Sequence, residues 1–204
     1  MLFRSQGHNR HLCDFIYELE QNSHEHGRFD KDGSLIPGLR YLQMARYYFE
    51  KKEHLEAEWN WHSGLLNFAQ SKFSREKIRS FLFVTITDLG CGIVDKYLSK
   101  YQELGNRDVS RIERRDLLNG ILTNVYMTTK SAGSVAAGAG LLNALRAASG
   151  IEGFVSLRTD QFRMERDYAT ARFESGDISL KDSSETGILA KIAGTHWTLV
   201  IPLP

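Results

Sequence analysis

The most continuous stretch of apolar and β-branched positions lies near the middle of the chain, at residues 81–87. Such a run predicts a buried β-strand. Asp88 follows directly, and Gly90 and Gly92 come after it, one residue apart. A carboxylate at the end of a buried strand is unfavourable unless it meets a donor, and glycines allow the chain to turn tightly beside another group. The pattern favours a binding site here, with a D-x-G hairpin turn as the alternative.

Helical periodicity dominates residues 11–26, where apolar side chains recur at i, i+3, i+4 and i+7. Glu18 and Asn22 are four residues apart, so they lie one turn apart on the same helix face. We expect Gly27 to end this helix. The same periodicity predicts helices at 93–102, 108–127 and 141–149, and a charged, aromatic-rich helical insertion at 51–77.

Further strands are predicted at 153–158, 168–173 and 194–202, and the ambiguous segment 39–50 favours a strand because of its aromatic, partly alternating end. Strands on both sides of helices, joined by short returns, predict a mixed, mainly antiparallel sheet. With helices on one face, the fold class is α/β (α+β), a two-layer sandwich. We expect one domain spanning residues 1–204.

Residues 128–140 are rich in small side chains, include Gly133, Gly138 and Gly140, and run directly into the predicted helix at Leu141. A glycine-rich loop that enters a helix offers free N–H groups and the positive end of the helix dipole to an anion. The segment is not a Walker loop, since no G-K-[ST] follows, nor a dinucleotide fingerprint, since Asn143 stands where a third glycine is needed. The alternative is a small-residue linker that packs on the sheet.

Composition excludes several other classes. The 204 residues include 26 Lys and Arg against 25 Asp and Glu, so no charge excess points to nucleic acid or to an anionic membrane. No apolar run reaches the length of a membrane span. The two cysteines, Cys13 and Cys91, and the absence of a signal peptide predict a reducing, cytoplasmic location.

Four segments, taken in order, resemble the GHKL ATP-binding domain shared by gyrase B, Hsp90, histidine kinases and the mismatch-repair protein MutL. ELEQNSHEHG is similar to the N box, TDLGCGI to the first glycine box, AAGAGLLNAL to the second, and GTHWTLVIPL to the closing strand. The likeness spans about residues 12–202 and is strongest to free-standing bacterial domains similar to anti-sigma-factor kinases. It implies a Bergerat-type ATP-binding fold.

The resemblance also implies roles for the residues in these segments. Asp88 would accept the exocyclic amine of adenine, Asn22 would hold Mg²⁺, and Glu18 would orient or deprotonate the acceptor of the phosphoryl group. The remaining nucleotide contacts would come from Gly90, Gly92, Gly138, Gly140, Leu141 and Thr195. Residues 93–137 would form a flexible ATP lid, in which Lys130 could meet a phosphate.

The second glycine box departs from the family pattern, because alanines at 136, 137 and 139 and Leu142 stand where the family has more glycines.

The sequence leaves three functions open. The first is slow ATP hydrolysis or phosphoryl transfer by a regulatory domain with a protein partner of unknown identity, which Glu18 supports. The second is a nucleotide-sensing interaction module with little or no turnover, which the thinned box supports. The third is a degenerate scaffold, against which the intact Glu18, Asn22 and Asp88 argue. The sequence leaves open the oligomeric state and whether water or a protein hydroxyl accepts the phosphoryl group.

Overall fold

The structure is a computed structural model that describes residues 6–30, 32–36, 40–100, 109–123, 139–170, 179–183 and 189–204. Its helices are α1 (Gln6–His26), α2 (Lys52–Trp59), α3 (Ser63–Arg75), α4 (Ile93–Lys100), α5 (Arg111–Thr123) and α6 (Gly140–Gly150). Its strands are β1 (Tyr41–Tyr48), β2 (Ser80–Asp88), β3 (Phe154–Asp160), β4 (Phe162–Asp167), β5 (Lys181–Asp182) and β6 (Ile192–Leu203). None of the helices in these ranges is long and apolar enough to cross a membrane.

The described strands form one sheet in the order β1-β2-β6-β3-β4-β5, and each neighbouring pair is antiparallel. The last strand of the chain, β6, lies between β2 and β3. In this register Asp88 lies opposite Thr195, so the end of β2 meets the start of β6. The predicted α+β class, with helices packed on a mainly antiparallel sheet, is confirmed.

The larger core lies between one face of the sheet and helices α1, α4, α5 and α6. Strand β2 contributes Leu82, Val84 and Ile86, which alternate with Phe81 and Phe83 on the opposite face. The buried side chains from the helices include Phe15, Leu19, Val94, Leu118, Leu122 and Leu145. This arrangement is the two-layer sandwich expected from the sequence.

A second apolar cluster lies on the other face of the sheet. Helices α2 and α3, within the predicted helical segment 51–77, pack Leu55, Trp59 and Phe68 against Phe81 and Phe154. The ring centroids of Trp59 and Phe81 are 5.4 Å apart, in an edge-on geometry. Because Phe81 and Phe83 of β2 lie on this face, it also needs a cover, and α2 and α3 provide a partial third layer.

A buried polar contact fixes α3 to the sheet. The Nδ1 atom of His62 accepts a hydrogen bond from the backbone N–H of Leu65 and so caps α3, while its Nε2 atom lies 2.9 Å from Oε1 of Glu165 on β4. Both side chains are almost fully buried. Each polar group therefore has a partner in place of water.

The position of the strand predicted at 168–173 is wrong in the part that can be checked. Residues 168–170 form a turn, 171–173 lie outside the described residues, and the strand is β4, which begins at Phe162. Tyr168 is fully buried, but through packing at the turn rather than through strand alternation. The helix predicted from residue 11 begins earlier, at Gln6, and the favoured strand in 39–50 is present as β1.

We expect Trp59→Ala to lower the free energy of unfolding by about 3–5 kcal/mol, because it leaves a large cavity among packed rings. The matched control is Trp61→Ala, since the Trp61 side chain is 65% exposed and its indole N–H bonds to a surface carbonyl. The control should change stability by no more than about 1 kcal/mol. Urea unfolding of the three proteins measures both values, and equal losses would contradict the assignment of α2 to the core.

Candidate functional site

Asp88 lies at the end of β2 and is buried, with 8% of its surface exposed. Its Oδ1 atom accepts a hydrogen bond of 3.0 Å from the backbone N–H of Gly90, and Thr195 on β6 also bonds to the carboxyl group. Burial raises the pKa of Asp88 from 3.8 to about 6, while the bonds from Gly90 and Thr195 act in the opposite direction. The carboxyl group therefore changes charge close to neutral pH.

The end of α1 touches the loop after Asp88, and glycines make this approach possible. A Cβ atom on Gly27 would lie 2.5 Å from Cβ and Cγ of Asp88, and one on Gly90 would lie 2.8 Å from Cα of Gly27. Gly27 is not among the glycines with positive φ, so close contact, rather than a left-handed helix stop, is what requires glycine there. The backbone N–H of Cys91 donates to the carbonyl of Phe29 at 3.2 Å and ties the loop to the chain after α1.

A cavity opens beside Asp88, with about 840 Å³ of space that is partly open to solvent. Its walls come from α1, β2, α4, α5, α6 and β6. The apolar lining comprises Leu19, Ile86, Ile93, Ile121, Leu141 and Trp197, and the polar lining includes Asn22, Ser23, His26, Asp88, Lys96 and Thr195. A largely apolar cavity with a few convergent polar groups is typical of a small-molecule site.

Asn22 lines another part of the cavity, where α1 meets the start of α6, and Glu18 lies one turn before it on α1. Asn22 Nδ2 donates to the backbone oxygen of Glu18 at 2.6 Å, which leaves the side-chain oxygen of Asn22 for a ligand. Asn143 Nδ2 on α6 donates to Oε1 of Glu18 at 3.2 Å. A Cβ atom on Gly140 would lie 2.9 Å from Nδ2 of Asn22 and 3.0 Å from Oε2 of Glu18, so Gly140 lets α6 begin against both side chains.

No protein-family model, curated protein or solved structure matches this chain. The assignment of a function therefore depends on the motifs and on the geometry that brings them together.

The structure gathers most of the predicted site residues at this cavity. Asn22, Asp88, Gly92, Gly140, Leu141 and Thr195 line it. Glu18 and Gly90 do not line the cavity, but each contacts a residue that does. The Glu18 carboxylate lies against Gly140, and the Gly90 N–H donates to Asp88. Lys130 and Gly138 lie outside the described residues. Within the predicted lid, residues 93–100 and 111–123 form α4 and α5.

Sequence reasoning missed three polar groups near the site. Asn143, considered only as a missing glycine, bonds to Glu18. Ser23 is buried and its hydroxyl has no hydrogen-bond partner among the described residues, and Lys96 lines the cavity from α4. Lys96 is four residues after Gly92, which places it one turn into α4.

An ion-pair cluster fixes α5 and α4 to the end of β3. The guanidinium of Arg114 on α5 pairs with Asp95 on α4 and, at 2.7 Å, with Oδ2 of the buried Asp160. Lys191 also pairs with Asp95, at 2.9 Å. Because Leu118 and Leu122 of α5 are fully buried in the core as well, these helices form a packed wall of the cavity.

The raised pKa of Asp88 predicts a pH dependence of stability. The folded protein holds the Asp88 proton up to about pH 6, whereas an unfolded chain releases it near pH 4. Protonation thus favours folding, and this contribution, about 2–3 kcal/mol, is complete below pH 4 and is lost as the pH rises through 6. Asp88→Asn cannot titrate at this position. In urea unfolding from pH 4 to pH 7.5, the wild type should lose that amount relative to the variant, and parallel pH profiles would contradict it.

Proposed function

We propose that the chain is a GHKL-type domain that binds ATP with Mg²⁺ and hydrolyses it slowly, or transfers its γ-phosphoryl group to a protein. One observation carries the proposal: the four motif segments, distant in sequence, meet around one cavity, with a buried carboxyl group at one place and a Glu–Asn pair beside a helix start at another. A regulatory domain of this kind would act on a protein partner, whose identity the chain does not reveal.

The adenine base would occupy the part of the cavity beside Asp88. There the carboxylate accepts a hydrogen bond from the exocyclic amine, and Leu19, Ile86 and Trp197 supply apolar walls for the ring. A charged acceptor in a place of low dielectric constant makes a stronger bond than the same group in water. Glycines at 27 and 90 let α1 and the loop after Asp88 approach each other closely, and Gly92 takes a positive φ, so side chains at these positions would push the two segments apart or strain the turn that places Asp88.

The phosphates would lie toward Asn22 and Gly140. The start of α6 offers backbone N–H groups and the positive end of its dipole. The described residues include no cluster of three or more acidic, cysteine or histidine side chains suited to a metal ion. Mg²⁺ accepts a site with one or two protein oxygens completed by phosphate and water, and the side-chain oxygen of Asn22 fits that requirement. When bound, Mg²⁺ would neutralise charge that develops on the phosphates.

Glu18 is the group suited to act as general base. Its Oε1 atom is held by Asn143, and its Oε2 atom faces the start of α6 at Gly140. In this position it would take the proton of an attacking water or hydroxyl while the new O–P bond forms and the bond to the departing ADP oxygen breaks. Asn143 would orient the carboxylate by its hydrogen bond.

A second candidate is a nucleotide-sensing module without significant turnover. Its support is the composition of the second glycine box, where Gly140 is the glycine that the structure places against Glu18 and Asn22, and Ala139 before it provides no side-chain cap. Fewer glycines allow fewer close contacts between backbone and phosphate. ATP would then bind and change a partner surface while chemistry stays slow.

Asp88→Asn should weaken ATP binding by roughly ten- to a hundredfold, the value of about 1.5–3 kcal/mol expected for a hydrogen bond to a charged group. The folded state should survive, which circular dichroism checks. In the wild type, ATP affinity should also fall as the pH drops below about 6, because Asp88 then becomes neutral. Isothermal calorimetry measures both effects, and unchanged affinity in the variant would rule out Asp88 as the base-recognition group.

Glu18→Ala and Asn22→Ala should separate chemistry from binding. Removing Glu18 takes away a negative charge near the phosphates, so ATP binding should be kept or strengthened while turnover falls by about 10²–10⁴. Removing Asn22 should instead reduce the Mg²⁺-dependent part of binding. Asp14→Ala, at an exposed position one turn before Glu18, is the control and should change neither property.

Calorimetry and phosphate release, with and without Mg²⁺, give the two readouts. If the Glu18 and Asn22 variants behave alike, the division of roles is wrong. If the wild type binds ATP but shows no turnover with water or with any protein acceptor, the sensing module is the better description.

A further inference from the structure

Lys96 brings a positive charge to the cavity that the proposed chemistry does not use. It lies in the first turns of α4 and lines the same cavity as Asp88, Asn22 and Gly140. Ile93 and Tyr97, three residues before it and one after, also line the cavity, so this face of α4 is turned toward the ligand space.

Lys96 is held through its backbone and through its side chain. Its backbone N–H donates to the carbonyl of Gly92 at 3.1 Å, and its Nζ atom lies 5.0 Å from the ring centroid of Phe29. Arg28 lies over the same ring at 5.1 Å, and the carbonyl of Phe29 accepts from Cys91. The bond to Gly92 fixes the helix backbone at Lys96, and the Phe29 ring positions the ammonium group through a cation–π contact that leaves its N–H donors available.

No acid among the described residues neutralises the charge of Lys96. Across the part of the chain that the structure describes, no carboxylate lies within ion-pair distance of its Nζ atom. Asp95, its neighbour in sequence, instead pairs with Arg114 and Lys191. A half-buried lysine that has no anionic partner among the described residues, at the wall of a binding cavity, is suited to a ligand that carries negative charge.

We infer that Lys96 binds the phosphate chain of the nucleotide and makes the site selective for nucleotides over nucleosides. The inference rests on the proposed ATP-binding function and adds to it a residue outside all four motif roles. It also accounts for the thinned second glycine box, because a cation on the α4 wall supplies phosphate attraction that backbone N–H groups alone would otherwise provide.

The test compares adenosine, AMP, ADP and a non-hydrolysable ATP analogue by calorimetry on the full chain with Mg²⁺. Lys96→Met keeps the length and apolar contacts of the side chain but removes its charge. It should bind the ATP analogue roughly tenfold more weakly and adenosine equally well, as expected for the loss of one charge-assisted bond. Along the series from adenosine to the ATP analogue, the loss of affinity should begin at the first ligand that contains the phosphate bound by Lys96.

Two further variants sharpen the result. Lys96→Arg should retain most of the affinity and the salt dependence of the wild type, because it keeps the charge. Lys52→Met, on α2 over the opposite face of the sheet, removes an equal charge from an exposed pair with Glu56 and should change nothing. If Lys96→Met lowers the melting temperature, Lys96→Gln provides a second neutral variant for the same ligand series.

The outcomes separate the two claims. ATP binding that is equal in the wild type and both neutral variants would overturn the role of Lys96 and leave the proposed function intact. An equal loss of affinity for adenosine and for the ATP analogue would also overturn it, since Lys96 would then support the wall rather than a phosphate. Failure of the wild type to bind any of the four ligands would remove the proposed function itself.

Discussion

The antiparallel pairing of β2 with β6 is the contact on which both the core and the cavity depend. It joins a strand from the middle of the chain to the last strand, and β6 in turn carries β3 on its other side. The same register sets Asp88 opposite Thr195, so the carboxyl group is buried where a hydroxyl and a backbone N–H can reach it. Slipping this register by one residue would turn Leu82, Val84 and Ile86 away from the helices and would also remove Asp88 from the cavity.

Much of this fold is legible in the sequence because its periodicities are strong. The uninterrupted run in β2 and the spaced apolar residues of α1 each indicate one type of element. Strand β4 was not predicted at its true position, because Glu165, a charged residue in a buried position, weakens its apolar pattern. Glu165 is tolerated there through His62, which lies about a hundred residues earlier in the chain and meets it only after folding. Local sequence contains no sign of such a partner.

In the candidate site, too, some residues could be predicted from the sequence and others could be recognised only from the fold. The resemblance of four segments to the GHKL motifs predicted a shared site for Asp88, Asn22 and Gly140, and each of these residues stands at the end or on one face of a recognisable element. The role of Gly27 could not be predicted in this way. Glycine is needed there because a side chain would collide with Asp88 on another element, and not because of the backbone conformation of Gly27 itself. Lys96 was hidden for a related reason: a polar residue on an amphipathic helix normally faces solvent, and only the fold shows that this face borders a cavity.

The packing of α5 has a consequence for the timing of ligand exchange. Lifting this helix from the cavity would separate Arg114 from two carboxylates and expose Leu118 and Leu122, which are fully buried. Exposing two leucines alone costs about 3–6 kcal/mol. Movement of this wall is therefore a local unfolding event rather than a loop fluctuation. A ligand that had to pass beneath α5 would dissociate on the slow timescale of such events. Its dissociation rate would then be limited by the opening of the protein rather than by the strength of its own contacts.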